Sequence, residues 1–173
     1  MKILVTAFKP FNNFANNYSM EVLKFINNVD KIILDVVYDE CYNELITSYD
    51  LSEYDLVIAM GEARSRKELT LETQAVNISS CSLVDNNGVL KQNKVIINEE
   101  DMFLKTKVNL EKVKEFVILS YDAGKFVCNN LYFHLLSDYP EKSIFVHIPD
   151  CNNELTKYNE YAKIIEKIIT NII

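Results

Sequence analysis

Cys128 stands at the end of Ala123-Gly124-Lys125-Phe126-Val127-Cys128, where an apolar run over Phe116 to Tyr121 turns through a glycine toward a helix. The first turn of a helix carries unpaired N–H groups and a partial positive charge. Both favour a thiolate, and such a setting can draw a cysteine pKa from about 8.5 to roughly 3.5–7.5. The chemistry this suggests is nucleophilic attack on an acyl carbon, which needs a base. The chain has two histidines. His147 closes the apolar run Ser143-Ile144-Phe145-Val146, just before Pro149. That places it at the carboxyl end of a strand, where open α/β sheets carry their sites and where it can meet a thiol at the start of a neighbouring helix. His134 follows Cys128 by six residues on the same helix, about 240° round it, and so faces elsewhere. An imidazole base needs a third group to orient it. Glu72, the lone charge between Leu69 and Val84, is the candidate; exposure on the polar face of an amphipathic strand accounts for it equally well.

The remaining cysteines, Cys41, Cys81 and Cys151, read as reduced core or surface thiols, because no Cys-x-x-Cys pair occurs and a chain of this size does not need staples. A metal set of Cys128, His147 and Cys151 is a weak reading, since closely spaced ligand pairs are missing. Neither metal nor cofactor is expected.

These residues need a scaffold that brings strand ends and helix starts together. Apolar, β-branched runs alternate with segments of helical period, the pattern of a mostly parallel sheet with helices on both faces. The spacing predicts strands over residues 2–7, 31–37, 55–60, 116–121 and 143–148, and helices over 18–28, 40–50, 101–113, 126–138 and 153–172. In the last helix Leu155, Tyr158, Tyr161, Ala162, Ile165, Ile168, Ile169 and Ile172 recur at helical spacing. Residues 67–97 break the alternation: Leu69–Ile78 and Asn93–Ile97 read as strands flanking the turn Asp85-Asn86-Asn87-Gly88, which predicts an antiparallel hairpin excursion. The three glycines, Gly61, Gly88 and Gly124, each read as a backbone corner. The expected fold class is therefore a three-layer α/β/α domain spanning residues 1–173, with a mostly parallel twisted sheet.

Composition narrows the function classes. A net charge of −7, with no basic cluster denser than Arg64-Ser65-Arg66-Lys67, argues against nucleic acid. No apolar run approaches the roughly 20 residues of a membrane span. The chain opens directly on a strand with no signal-like apolar region, so a cytoplasmic location is expected.

Three collinear segments resemble one family, pyroglutamyl peptidase I, whose members are cysteine peptidases that remove an N-terminal 5-oxoproline. Ala123-Gly124-Lys125-Phe126-Val127-Cys128-Asn129 is similar to Ala-Gly-Thr-Phe-Val-Cys-Asn, Phe145-Val146-His147-Ile148-Pro149 to Phe-Ile-His-Val/Ile-Pro, and Leu71-Glu72-Thr73-Gln74-Ala75-Val76-Asn77 to Pro-Glu-Arg-Val-Ala-Ile-Asn. Thr6-Ala7-Phe8-Lys9-Pro10-Phe11-Asn12-Asn13 resembles Thr-Gly-Phe-Asp-Pro-Phe-Gly-Gly, and Asn17 matches an asparagine that follows it. The resemblance implies Cys128 as nucleophile, His147 as base and Glu72 as third member, with Phe8, Phe11, Asn17 and Phe126 around the pyrrolidone ring and the N–H groups near Val127 facing the oxyanion. It also implies peptides with N-terminal pyroglutamate as substrates and a homo-oligomer, dimer or tetramer. Asn12 and Asn13, where the family has glycines, are the residues that best tolerate a left-handed backbone.

The pattern departs from the family in two places. Gly61-Glu62-Ala63-Arg64-Ser65-Arg66 replaces Gly-Gln-Ala-Gly-Gly-Arg, and Ser82-Leu83-Val84 stands where Arg-Ile-Pro is usual, which removes a cation expected near the triad. Two alternatives stay open: a cysteine amidohydrolase acting on another small lactam or acyl amide, and a catalytically silent protein that binds in the same pocket.

Overall fold

Strand-forming runs rich in valine, isoleucine and leucine pair into one twisted sheet. In the computed structural model, which describes residues 1–172, the sheet contains β1 (Ile3–Phe8), β2 (Asp30–Leu34), β3 (Leu56–Glu62), β4 (Thr70–Glu72), β7 (Ile118–Ser120) and β8 (Ser143–Ile148). Their order is β2-β1-β3-β8-β4-β7. The first four run parallel, whereas β4 is antiparallel to β8 and parallel to β7. A separate two-stranded ribbon pairs β5 (Gln74–Val76) with β6 (Phe103–Lys105) in antiparallel register.

The pleat sends alternate residues to opposite faces. Ile58, Met60, Val146 and Ile148 pack with residues of α1 (Tyr18–Leu23) and α4 (Leu155–Ile172), including Val22, Ile165 and Ile168. Val57, Ala59 and Phe145 pack on the other side with Leu45 of α2 (Glu40–Ser48) and with Leu131 and Leu135 of α3 (Val127–Asp138). The expected three layers are therefore present. No helix of the described residues is long and apolar enough to cross a membrane.

Differences from the sequence-based expectation concentrate between residues 67 and 121. The run 69–78 splits in two, its first part joining the main sheet and its second pairing with Phe103–Lys105. The predicted strand at 93–97 is not formed: only an isolated bridge joins Ser79 to Lys94. The cause is Asn77, whose Oδ1 accepts from the N–H groups of Ile96 and Ile97 and whose Nδ2 donates to Ile97 O, so that one side chain replaces a ladder. The turn at Asp85 is present, with Gly88 at φ +79° and its N–H donating to Asp85 O, but it closes a loop and not a strand hairpin. The predicted helix over 101–113 is also absent. Phe103–Lys105 is recruited as the partner of β5, and Thr106 Oγ1 ties the chain to Ser143 O, leaving only short turns around Leu110 and Val113. Residues 116–121 supply three strand residues, Ile118–Ser120. Helix 18–28 shortens to Tyr18–Leu23.

Candidate active site

The carboxyl ends of β3 and β8 meet the start of α3. Gly124, at φ +75°, makes the corner before the helix, and Asp122 Oδ1 accepts from its N–H at 2.9 Å. The helix then begins at Val127, with Phe126 as N-cap and no side-chain capping bond, so its leading N–H groups are left to the site. Cys128 lies in this first turn.

Register brings the other groups to the same face. Gly61 of β3 pairs with His147 of β8, and across the antiparallel pair Thr70 stands opposite His147 while Glu72 stands opposite Phe145. His147 and Glu72 are thus diagonal neighbours on the face covered by α3. His147 Nδ1 and Glu72 Oε1 are 2.8 Å apart, with both residues buried. Tyr132 of α3 donates its hydroxyl to Glu72 O, fixing that strand against the helix. The alternative of an exposed Glu72 is therefore overturned: the carboxylate has no solvent access.

Arg66 supplies the cation. Its Nη1 lies 2.6 Å from Glu72 Oε1 and also contacts Thr70 Oγ1, while Nη2 donates to Asp122 O at 2.6 Å. Ser82, by contrast, is exposed and takes no part in the cavity; the cation that meets Glu72 comes from the loop after β3. Burial works against the charged form of Glu72, but the hydrogen bond from His147, with the charge of Arg66 behind it, outweighs it and holds the pKa below the ordinary carboxylate value. Burial lowers the pKa of His147 despite the opposing pull of Glu72. The pair at rest is an anionic carboxylate holding a neutral imidazole, Nδ1–H toward Glu72 and the Nε2 lone pair toward the cavity.

Cys128 departs from expectation in one respect. Part of it is accessible through the cavity, but burial pushes its thiol up to about 12, with the charges of Glu62 and Glu72 adding to the rise and Arg66 opposing it. The helix start does not yield a resting thiolate here, because desolvation and two carboxylates outweigh it. The thiol waits for a base instead of being ionised beforehand.

A cavity of about 110 Å³ opens over these groups, lined by Phe8, Phe11, Asn17, Val36, Glu62, Ala123, Gly124, Phe126, Val127, Cys128 and His147. The structure brings together Cys128, His147, Phe8, Phe11, Asn17, Phe126 and Val127 as expected, with Glu72 directly behind the imidazole. Phe126 packs on Phe11 with ring centres 5.7 Å apart and meets Tyr38 edge-on at 5.5 Å. Asn12 and Asn13 have φ of 51° and 60°, the left-handed values that let the loop turn beneath Phe11. Asn17 is at the wall, but its atoms serve the scaffold: Oδ1 accepts from Ser19 N at 3.0 Å and Nδ2 donates to Lys9 O at 3.1 Å.

Gly61 is the contribution that the sequence reading misplaced. It is no corner; it lies within β3, and a Cβ built on it would stand 2.5 Å from Cys128 Sγ and 3.0 Å from Phe145 Cζ. Only a residue without a side chain lets the thiol settle over the strand. Glu62, the carboxylate that the sequence places close to the site, is part of the lining, whereas Val36 carries no signal in the sequence that would have found it. His134 is engaged away from the site, stacked on Tyr42 at 4.9 Å and 3.2 Å from Asp39 Oδ1. Among the described residues no group of three or more His, Cys, Asp or Glu could hold a metal ion.

The family profile described as pyroglutamyl peptidase matches residues 1–170. A pyrrolidone-carboxylate peptidase of Thermosipho melanesiensis is 30% identical over 189 residues, covering 99% of this chain and 94% of that protein. Another, from Brachyspira hyodysenteriae, is 30% identical over 167 residues, with coverage of 86% and 83%. The crystal structure of pyrrolidone carboxyl peptidase from the keratin-degrading thermophile Fervidobacterium islandicum superposes with a TM-score of 0.86 at 25% identity, over 99% of this chain and 98% of that one.

Proposed function

The chain belongs to the pyroglutamyl peptidase family, and from that premise we propose that it is a cysteine exopeptidase that removes N-terminal 5-oxoproline from peptides through Cys128, His147 and Glu72. The observation that carries this assignment of residues is the convergence on one cavity of a thiol at a helix start and a buried imidazole held at 2.8 Å by a carboxylate.

The substrate ring is flat, small and neutral. Aromatic walls from Phe8, Phe11 and Phe126 suit it, and no free charge is needed to bind it. As the acyl carbon approaches, His147 Nε2 takes the Cys128 proton and Sγ bonds to that carbon, driving its π electrons onto oxygen. The N–H groups of Val127 and Cys128 face the oxyanion, a role worth about 10²–10³ in rate per donor. The imidazolium formed is stabilised by Glu72. It passes its proton to the leaving amine as the C–N bond breaks, leaving a thioester on Cys128. A water deprotonated by His147 then adds to the thioester, and free 5-oxoproline leaves as the thiol regains its proton. A resting neutral pair suits this sequence, since the proton moves only when the acyl group is in place.

The four cysteines are free thiols, which suits a reducing compartment, and the reading extends to the cytoplasm. It also extends to one domain over residues 1–173 and, from the family resemblance, to a homo-oligomer. Release of amine from a pyroglutamyl amide, set beside the matching prolyl amide, tests the activity. Hydrolysis of the first and not the second is expected; no release from the pyroglutamyl amide by reduced, folded protein would overturn the reading.

A further inference from the structure

Two of the residues that depart from the family pattern, Glu62 and Arg64, are bonded to each other. Glu62 Oε1 accepts from Arg64 Nε at 3.0 Å and Oε2 from Arg64 Nη2 at 3.3 Å, a two-point contact with the Glu62 side chain only 2% exposed. Arg64 does not line the cavity, and Glu62 lines it without a hydrogen bond to Cys128 or His147. What they touch is the segment that leads from β1 into α1 and carries Phe11, a wall of the cavity.

The contacts converge from three directions. Glu62 Oε2 also accepts from Tyr18 N at 2.9 Å, holding the start of α1. Arg64 Nη2 donates to Asn16 O at 3.2 Å and lies 3.4 Å from Asn16 Oδ1. The guanidinium then lies over two rings, with Cζ 3.8 Å from the centre of Phe14 and 4.3 Å from that of Tyr18. Phe14 in turn meets Phe11 edge-on with centres 5.9 Å apart. A planar, delocalised cation is the one side chain able to make a fork to a carboxylate and stack on rings at the same time.

We propose that Glu62 and Arg64 form a clasp that positions the Phe11 loop over the lactam cavity and thereby sets affinity for the pyroglutamyl ring. The pair rests on the activity proposed above but takes no part in bond making. Arg64 is a positioning residue acting through Phe14 and Phe11. Its loss frees the loop, so the ring meets a wall that must be ordered on binding, and that ordering cost falls on KM. Once the acyl carbon is seated against Cys128, the chemical steps proceed as before.

The experiment compares wild type with Arg64→Gly, Arg64→Lys, Phe14→Ala and Glu62→Gln/Arg64→Gly, reading kcat and KM on a pyroglutamyl amide and hydrogen exchange over residues 9–18. Arg64→Gly should raise KM roughly tenfold with kcat within about twofold and speed exchange in the loop, a tenfold change being about 1.4 kcal/mol. Phe14→Ala should do the same, and the two should not add, because they break one chain of contacts. Arg64→Lys keeps charge but loses the fork and the flat stack, and should fall between. The double variant should be less impaired in stability than Arg64→Gly, which leaves the Glu62 carboxylate buried without its partner. Should Arg64→Gly not fold, Arg64→Lys and Phe14→Ala decide the matter. An unchanged KM and unchanged loop exchange in both would overturn the clasp, as would a fall in kcat at constant KM. Loop exchange is read without substrate, so an inactive wild type would refute the peptidase reading while leaving the clasp separately testable.

Discussion

At the scale of single residues, the sequence singled out Cys128 and His147 as candidates but could not decide the state of Glu72. A lone carboxylate in an apolar strand is equally at home facing water or facing a partner. Its burial follows from β4 running antiparallel to β8, which puts Glu72 diagonal to His147 on the inner face. Nor could the sequence weigh burial against the helix start at Cys128, because the charges of Glu62 and Glu72 reach the thiol only in the fold. The consequence is measurable. With the thiol pushed up to about 12 and His147 held below its ordinary value, alkylation of Cys128 in the free protein should be slow at neutral pH and still climbing at pH 9, while turnover should lose its rate only on the acid side, below about pH 6.5, as His147 takes a proton. His147→Ala should cost roughly 10²–10⁴ in rate and abolish that acid limb. A plateau of alkylation rate below pH 7 would show instead a preformed thiolate.

At the scale of elements, the long and strongly periodic segments were legible. The last helix, predicted over 153–172, runs from Leu155 to Ile172, and the helix behind Cys128 begins at Val127. The stretch from 67 to 121 was not, because its short strands are defined by partners: Phe103–Lys105 is extended only because Gln74–Val76 lies beside it, and Asn77 satisfies backbone groups that a strand would have paired. Gly61 belongs to the same class of hidden information, since no periodicity reveals that a thiol from another element will rest on it. Gly61→Ala tests this. Its backbone is in an ordinary strand conformation, so the protein should fold, but a Cβ at 2.5 Å must move Sγ. Displacements of about 1 Å cost on the order of 10² in rate. A kcat within twofold of wild type would mean that the thiol is not confined as described.

At the scale of the whole molecule, one sheet is shared by both cores, with Ile58 and Val146 serving one face and Ala59 and Phe145 the other. A single cooperative unfolding transition is expected. Its pH dependence carries the signature of the buried pair. The folded protein holds His147 below its unfolded pKa of 6.5, so stability declines as pH falls beneath that value; it holds Glu72 below its unfolded 4.5, so the stabilisation from that carboxylate, present above 4.5, is lost as pH falls through the lower folded value. Both act in one direction, and the melting temperature should drop between pH 7 and pH 4 at about 2–4 °C per kcal/mol lost. Glu72→Gln should flatten the lower part of this curve. A melting temperature constant across that range would contradict the burial of the pair.

The central claim is that Cys128 carries the acyl group. Acid-quenching the protein during turnover of a pyroglutamyl amide, followed by peptide mapping with mass spectrometry, tests it directly. A pyroglutamyl thioester on the peptide containing Cys128, and none on those containing Cys41, Cys81 or Cys151, is the predicted result. Turnover that persists in Cys128→Ala, or an acyl group found on another residue, would contradict it.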